Sequence, residues 1–81
     1  MIQYYIYAIK SYKDGRLYVG ISRNPESRLI EHNSGMTKST KPFRPWKIVF
    51  KRFIGDRKSA RIEEKKLKSG YGKEFLKKLT R

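Results

Sequence analysis

Two tyrosines near the beginning of the chain are the first side chains that could take part in a reaction. Tyr7 and Tyr18 flank Asp14-Gly15, and an Asp-Gly pair between two alternating apolar runs predicts a β-hairpin. With Asp14 and Gly15 as the two turn residues, Tyr7 pairs with Ser22 and both phenols share one face. A phenol has a pKa of about 10, so it accepts a proton at neutral pH only where cations stabilise the phenolate. The alternative interpretation is that both tyrosines only pack in the sheet.

Arg28 and His32 form the second pair of candidates. They lie four residues apart in a predicted helix, so their side chains face the same way. A guanidinium binds two phosphate oxygens as a fork, and an imidazole can hydrogen-bond or transfer a proton near neutral pH. The pair therefore suits an anionic substrate. The alternative is two ordinary surface residues, with Arg28 paired to Glu31 or Glu26.

Glu63 and Glu64 are adjacent carboxylates in a predicted helix that is otherwise rich in lysine and arginine. They flank the expected buried stripe of Ala60 and Leu67, and periodicity alone does not decide which one faces the sheet. One of them could bind a hard cation, since Mg²⁺ commonly uses one or two carboxylates with water and substrate phosphate. The alternative is that both neutralise neighbouring lysines. Two phenols, an arginine, an imidazole and a carboxylate together suit a phosphodiesterase, in which metal and arginine would stabilise the phosphate charge and a phenolate would take a proton from the attacking water.

Turn and cap signals predict the elements that must position these side chains. Asn24 reads as a helix N-cap before a proline, Asp56 caps a second helix, and glycines at 70 and 72 mark a turn. The order β-β-α-β-α-α predicts a small α+β domain, a three-stranded sheet covered by helices, with residues 1–81 as one domain. The predicted elements are strands at 3–12, 16–22 and 46–53, a basic loop at 36–45, and helices at 25–33, about 56–69 and 73–79.

Alternation gives the predicted hairpin one apolar face and one mixed face. The mixed face carries the tyrosines beside Gly20, a gap where a ligand backbone could come close. In the last helix, Phe75, Leu76 and Leu79 are expected on the inner side, with Ile62 of the preceding helix beneath it. The apolar face of the hairpin comprises Ile6, Ala8, Leu17, Val19 and Ile21.

Charge is the strongest global signal of the sequence. The chain has 21 Lys and Arg against 7 Asp and Glu, a formal net charge of +14, and residues 38–81 hold most of the excess. Such a field attracts polyanions, chiefly nucleic acid. A solubilising surface, a ribosomal protein and a membrane-surface protein are the alternatives. The predicted DNA backbone track consists of Lys38, Lys41, Arg44 and Lys47.

The absence of cysteine excludes disulfides and thiolate metal sites. The N-terminus lacks a basic region followed by a long apolar run, and no apolar segment nears the roughly 20 residues that span a bilayer. The sequence therefore predicts a cytoplasmic protein that does not enter a membrane.

Several short motifs lie along the chain, at residues 5–7 (YIY), 18–20 (YVG), 28–29 (RL), 32–35 (HNSG), 40–46, 64–70 and 72–76. Together they resemble the GIY-YIG nuclease family, most closely its small stand-alone bacterial members. The resemblance covers roughly residues 4 to 79. Three positions depart from the family pattern: Tyr5 replaces glycine, Val19 replaces isoleucine, and Ile21 stands where repair-type members place a lysine.

The resemblance implies cleavage of DNA phosphodiester bonds that depends on Mg²⁺ or Mn²⁺. Arg28 matches the arginine that binds the scissile phosphate, His32 a histidine near the attacking water, and Glu64 the metal-binding glutamate. Tyr7 and Tyr18 match the two motif tyrosines; Tyr18 is the preferred proton acceptor, with Tyr7 positioning water or phosphate. Lys10, Lys38 and Lys41 are candidates to replace the missing motif lysine.

The expected substrate is branched, nicked or duplex DNA, cut with structure selectivity or weak specificity, in DNA repair or recombination. A monomer is expected, with a protein partner as a possible source of specificity. The alternative is a basic nucleic-acid-binding module with weak or lost catalysis. The interpretation as an RNA- or ribosome-associated protein rests on charge alone, because the sequence lacks the exposed aromatic residues with which sheet-based RNA-binding domains contact bases.

Overall fold

The computed structural model describes residues 3–80, and it confirms the α+β class and the predicted order of strands and helices. Asn24 Oδ1 accepts the Ser27 N–H and caps the first helix, while Asp56 caps the second through the Ser59 N–H. The elements are β1 (Tyr4–Ser11), β2 (Leu17–Ser22), α1 (Pro25–Ser34), a 3₁₀ turn (Lys41–Phe43), β3 (Trp46–Gly55), α2 (Arg57–Lys68) and α3 (Gly70–Leu79).

The three strands form an antiparallel sheet in the order β2-β1-β3, so β1 is central and β2 is an edge strand. The predicted hairpin register is wrong by two residues, because Tyr7 pairs with Gly20 rather than Ser22. A shift of two keeps every side chain on its face, so the predicted apolar face is retained. Ile6 lies opposite Ile21.

The hairpin loop explains this shift. Ser11 Oγ accepts the backbone N–H groups of Lys13 and Asp14 at 3.0 and 3.3 Å, which makes Ser11 the organiser of the loop. Gly15 adopts φ +78° and donates its N–H to the Ser11 carbonyl at 2.9 Å. The loop therefore has four residues, 12–15, instead of the predicted two.

Helices cover both faces of the sheet. Helices α2 and α3 pack on the face that carries Ile6, Ala8 and Val19, and Leu76 of α3 is buried there. Helix α1 and the 3₁₀ turn pack on the opposite face, around Tyr7, Ile9 and Trp46. The two phenols of the sequence motif therefore belong to the α1 side of the sheet.

The last helix differs most from its prediction. Helix α3 begins at Gly70 rather than Lys73, because the Ser69 side chain accepts the Gly72 N–H and caps it there. Only Leu76 of the three expected inner residues is buried; Phe75 and Leu79 are 42% and 52% exposed. Ile62 of α2 is also half exposed, so α3 does not cover it as predicted. Within residues 3–80, each helix is too short or too polar to span a bilayer.

Candidate active site

A cavity of about 310 Å³ at the edge of the sheet collects most of the predicted catalytic side chains. It lies beside β2, between α1 and α2, so groups from both faces of the sheet reach it. Tyr7, Tyr18, Arg28 and Glu64 all line it, whereas His32 lies behind Tyr7. The full lining is Tyr4, Tyr7, Tyr18, Gly20, Ile21, Arg28, Arg57, Arg61 and Glu64.

Tyr7 reaches the cavity through the space that Gly20 leaves. A Cβ on Gly20 would lie 2.7 Å from the Tyr7 hydroxyl oxygen and 2.9 Å from its Cζ. The predicted role of Gly20, a gap for a ligand backbone, is therefore wrong. The protein fills that gap with its own buried phenol, and the glycine lets this ring pass beneath the edge strand.

We expect Gly20→Ala to lower the free energy of unfolding by about 1–3 kcal/mol, since the new methyl overpacks the buried Tyr7 ring. Urea unfolding measures the loss. Gly70→Ala is the matched control, because a Cβ there meets nothing within 4 Å, and its effect should stay within about 0.5 kcal/mol. Equal stability of the Gly20→Ala and wild-type proteins would contradict the packing described.

His32 is fully buried and joins Tyr7 to Thr40. Its Nε2 lies 3.0 Å from the Tyr7 hydroxyl and its Nδ1 lies 2.8 Å from Thr40 Oγ1. The Thr40 hydroxyl donates to the Thr37 carbonyl at 3.3 Å, so its oxygen accepts the Nδ1–H of His32. In the neutral imidazole Nε2 is then an acceptor, and Tyr7 donates its O–H to it. The Tyr7 oxygen keeps lone pairs for a group in the cavity.

Burial controls the protonation of this pair. It lowers the pKa of His32 below its ordinary value, and the positive charge of Arg28 lowers it further, which keeps the imidazole neutral at pH 7. Burial also raises the pKa of Tyr7 to about 12, against the opposing effect of Arg28. Tyr7 is therefore a protonated hydrogen-bond donor at neutral pH, not a phenolate.

We expect the free energy of unfolding to decrease as the pH is lowered, because of His32. Its folded pKa is depressed, so its contribution is fully present above about pH 6.5 and is lost as pH falls through the folded pKa. Urea unfolding at several values between about pH 7.5 and 5 measures this slope. His32 is the only histidine of the chain, so His32→Gln should abolish the slope in that window. An equal slope in the variant would contradict the assignment.

Arg28 forms the predicted surface pair and also lines the cavity. Its Nη1 donates to both carboxylate oxygens of Glu31 at 3.3 Å, which is the predicted surface pair. It nevertheless lines the cavity, one helical turn before His32, and its charge acts on Tyr7. The ion pair thus holds a guanidinium at the cavity wall, where it can bind phosphate.

Tyr18 lies against His32 from the edge strand. Its ring meets the imidazole edge-on with a centroid distance of 5.0 Å and meets Trp46 at 6.5 Å. No hydrogen bond joins its hydroxyl to another side chain in the described part of the chain, in contrast to Tyr7. Tyr18 therefore brings a phenol to the cavity whose donor and acceptor capacity remains free for substrate or water.

The structure separates the two adjacent glutamates. Glu64 lines the cavity, its side chain is only 15% exposed, and it pairs with Lys68 at 3.2 Å. Glu63 lies outside the cavity lining and pairs with Arg52 at 3.6 Å and Lys66 at 3.5 Å. Glu64 is therefore the carboxylate that can act together with the phenols and Arg28.

The sequence analysis missed Tyr4, Arg57 and Arg61, which also line the cavity. A signal for the two arginines exists, because Arg57, Arg61 and Glu64 are spaced by four and three residues and share one face of α2. Thr40, the partner of His32, was missed because the polar contact joins segments that only tertiary structure brings together.

The predicted DNA track lies elsewhere. Lys41 and Arg44 line a separate cavity of about 530 Å³ with Lys13, and Lys47 lies over the Tyr12 ring at 5.2 Å. Lys38 is exposed on the same loop. None of these residues lines the Tyr7 cavity, so their contact with DNA stays a prediction.

Among the described residues, no lysine of the cavity lining replaces the lysine that the family pattern would place at Ile21. Lys10 contacts the Thr80 carbonyl at 3.4 Å, and neither Lys38 nor Lys41 is part of the cavity lining. Arg57 and Arg61 are instead the additional cations at this wall.

The residues present fit a hydrated divalent ion that shares its ligands with substrate. Between residues 3 and 80, no group of three His, Asp or Glu side chains could hold a metal ion alone. Glu64 is the single carboxylate of the cavity lining. Mg²⁺ keeps several waters and commonly needs one or two carboxylates with a substrate phosphate, so this donor set is sufficient.

Comparison with known proteins decides the family. A model of the GIY-YIG catalytic domain matches residues 3–79. The chain belongs to the GIY-YIG family. The resemblance predicted from the tyrosine motifs is thereby confirmed, and the family is one of nucleases. The match places this GIY-YIG domain over nearly all of the described residues.

Bacterial relatives of this GIY-YIG chain carry the name UPF0213 protein. This chain is 37% identical over 70 residues to the UPF0213 protein from Staphylococcus saprophyticus and 34% identical over 70 residues to the one from Staphylococcus haemolyticus. Each alignment covers 85% of this chain and 84% of the relative. The chain is 37% identical over 59 residues to one from Photorhabdus laumondii, covering 72% of this chain and 56% of the relative. No solved structure matches the chain.

Proposed function

We propose that the chain is a divalent-metal-dependent endonuclease that hydrolyses phosphodiester bonds in DNA. The observation that carries the proposal is the single cavity in which three phenols, two of them the motif tyrosines, meet three arginines and one shielded carboxylate. Membership of a nuclease family and the net charge of +14 support it. Branched or nicked DNA, as arises in repair and recombination, is the preferred substrate of this proposal.

Arg28, Arg57 and Arg61 bind the phosphate in the proposed mechanism. A phosphodiester carries one negative charge and becomes more negative in the transition state, when water attacks phosphorus. Guanidinium groups already fixed at the cavity wall stabilise that charge without reorganisation. Arg28 is the best fixed of the three, because Glu31 holds it at 3.3 Å.

The phenols divide the handling of the proton. Tyr7 donates a hydrogen bond to His32 and keeps its proton, since its pKa is about 12, so it orients a water or phosphate through its lone pairs. Tyr18, whose oxygen is free to contact the nucleophile, first loses its own proton to solvent. The phenolate then takes the proton of the attacking water while the new P–O bond forms and the bond from phosphorus to the leaving oxygen of DNA breaks.

Glu64 is the residue that would hold Mg²⁺ or Mn²⁺. Such an ion, when bound, supplies Lewis-acid stabilisation of the phosphate charge. The low exposure of Glu64 favours a lasting ion pair, and its present partner is Lys68 at 3.2 Å. The positive charges of the surrounding arginines repel a divalent cation when no phosphate is bound, so metal and phosphate are expected to bind together.

A cleavage assay tests the proposed function. Pure protein is incubated with labelled plain duplex, nicked and branched DNA in the presence of Mg²⁺, Mn²⁺ or EDTA. We expect cleavage with either metal, none in EDTA, and faster cleavage of branched or nicked DNA. Intact DNA under every condition would overturn the proposal.

A nucleic-acid-binding module without catalysis is the second candidate. Ile21 favours it, because this apolar residue lines the cavity where repair-type relatives place a lysine. This candidate predicts binding whose affinity falls with salt, by about 0.9 log units per log unit of salt for each duplex phosphate contacted, and no turnover. Metal-dependent turnover would exclude it.

A further inference from the structure

A second cavity, of about 560 Å³, continues along the edge strand beyond the first. Its floor is apolar and is formed by Leu17 and Val19 of β2, Leu67 of α2 and Leu76 of α3. Lysines from the two helices stand around this floor. The cations of the rim are Lys10, Arg16, Lys68, Lys73 and Lys77.

The two cavities are neighbours along the same strand. Tyr18 lines both of them, and β2 runs from the second cavity at Leu17 to the first at Ile21. At about 3.3 Å per residue these positions are about 13 Å apart, a distance that a few nucleotides cover. Lys68 belongs to the second cavity and pairs with Glu64 of the first at 3.2 Å.

The rim lysines differ in their availability. Arg16 is bound to Asp14 at 2.7 Å and lies over the Phe43 ring at 3.4 Å, so its charge is already engaged. Lys77 forms a long ion pair with Glu74 at 4.0 Å, and Lys73 has no acidic partner among residues 3–80. Lys73 is therefore a rim cation without a partner, and Lys77 is held only weakly, so both can bind an anion.

An apolar floor below these lysines matches a ligand that is apolar on one side and anionic on the other. An unpaired nucleotide has this form, because its base presents flat apolar faces and its phosphates are charged. A paired base inside a duplex cannot enter such a cavity, since both of its faces are stacked. The continuity with a cavity built for phosphate favours the same DNA strand over an acidic peptide.

We propose that this second cavity binds an unpaired nucleotide adjoining the cleaved phosphate. The inference rests on the proposed function and specifies its substrate as DNA with a single-stranded segment at the cleavage site. The base lies on Leu17, Val19 and Leu67, while Lys73 and Lys77 bind the flanking phosphates. Tyr18 forms the wall between this nucleotide and the scissile bond.

Fluorescence anisotropy in EDTA tests the inference without cleavage. The probes are a fully paired duplex, a fork with a short unpaired arm, and two forks in which abasic residues replace either the first or the last unpaired nucleotides. We expect the fork to bind about tenfold more tightly than the fork that is abasic next to the junction. The distal abasic fork should bind like the intact fork.

Lys73→Gln/Lys77→Gln removes the unpaired rim charge of Lys73 and the weakly paired one of Lys77. We expect the salt dependence of fork binding to weaken by about 1.4 in the log–log slope, at ~0.7 per single-strand phosphate. Lys65→Gln/Lys78→Gln is the matched control, because it removes the same amount of charge at one position on α2 and one on α3, both outside the two cavities. This control should keep the preference for the intact fork.

Three results would overturn the inference. The first is equal affinity for the intact and the junction-abasic forks, and the second is an equal loss of fork affinity in the two double variants. The third is complete displacement of the fork by polyglutamate, whether or not the base is present. The outcome is separate from that of the proposed function. If the intact and junction-abasic forks bind differently in EDTA but no DNA is cleaved in Mg²⁺ or Mn²⁺, only the nuclease proposal is overturned. If DNA is cleaved but the two forks bind equally, only this inference is overturned.

Discussion

Glu64→Gln is expected to reduce metal-dependent DNA cleavage by about 1,000-fold or more. The change keeps the size of the side chain and removes the one carboxylate of the cavity lining, so the divalent ion loses its protein ligand. Lewis-acid stabilisation of the transition state amounts to several kcal/mol, and each 1.4 kcal/mol is a tenfold change in rate. Single-turnover cleavage of the preferred DNA in Mg²⁺ measures the effect.

Glu63→Gln is the control for this experiment. It makes the same chemical change one residue earlier, where the carboxylate pairs with Arg52 and Lys66 outside the cavity. We expect its cleavage rate to stay within about twofold of wild type, as for most surface changes. Both variants should bind DNA in EDTA at least as well as wild type, since each removes one negative charge. Equal loss in both variants, or none in Glu64→Gln, would remove Glu64 from the mechanism.

Tyr18→Phe is expected to have the second largest effect, a loss of about 10²- to 10⁴-fold in the cleavage rate. Removal of a positioned proton acceptor has this magnitude. Stability should change little, because the Tyr18 hydroxyl has no hydrogen-bond partner in the described part of the chain. Single-turnover rates and urea unfolding of the same preparation report the two effects separately.

Tyr7→Phe should show the opposite balance. It leaves the buried His32 Nε2 without its donor, which is expected to cost about 1–3 kcal/mol of stability. The loss of one orienting hydrogen bond should slow cleavage by about tenfold. A greater rate loss in Tyr7→Phe than in Tyr18→Phe would exchange the two roles and make the Tyr7–His32 pair the route of the proton.

Local signals in the sequence predicted much of the fold. Asn24 and Asp56 were identified as N-caps because capping depends on residues within one helical turn. The faces of the hairpin were also predicted, because side chains alternate whatever the length of the loop. The register itself was not, since it depends on Ser11 Oγ accepting two backbone N–H groups in the loop.

Tertiary contacts explain what could not be predicted at the site. Gly20 looked like space for a ligand, and only the packing of the buried Tyr7 shows what occupies that space. The Thr40 contact that orients His32 spans eight residues, beyond the reach of helix periodicity. In α3 the buried positions are Gly72 and Leu76, one helical turn apart, because the helix packs with Gly72 directly against the backbone of Leu67; Phe75 lies beside this stripe and stays partly exposed.

The central claim is that phosphate and metal meet between Arg28 and Glu64. Anomalous diffraction from crystals of the Tyr18→Phe variant, grown with Mn²⁺ and a short uncleaved DNA, tests it most directly. We predict a manganese peak at the Glu64 carboxylate with a phosphate bound to Arg28. Manganese away from Glu64, or DNA seated only along Lys41 and Arg44, would contradict the account.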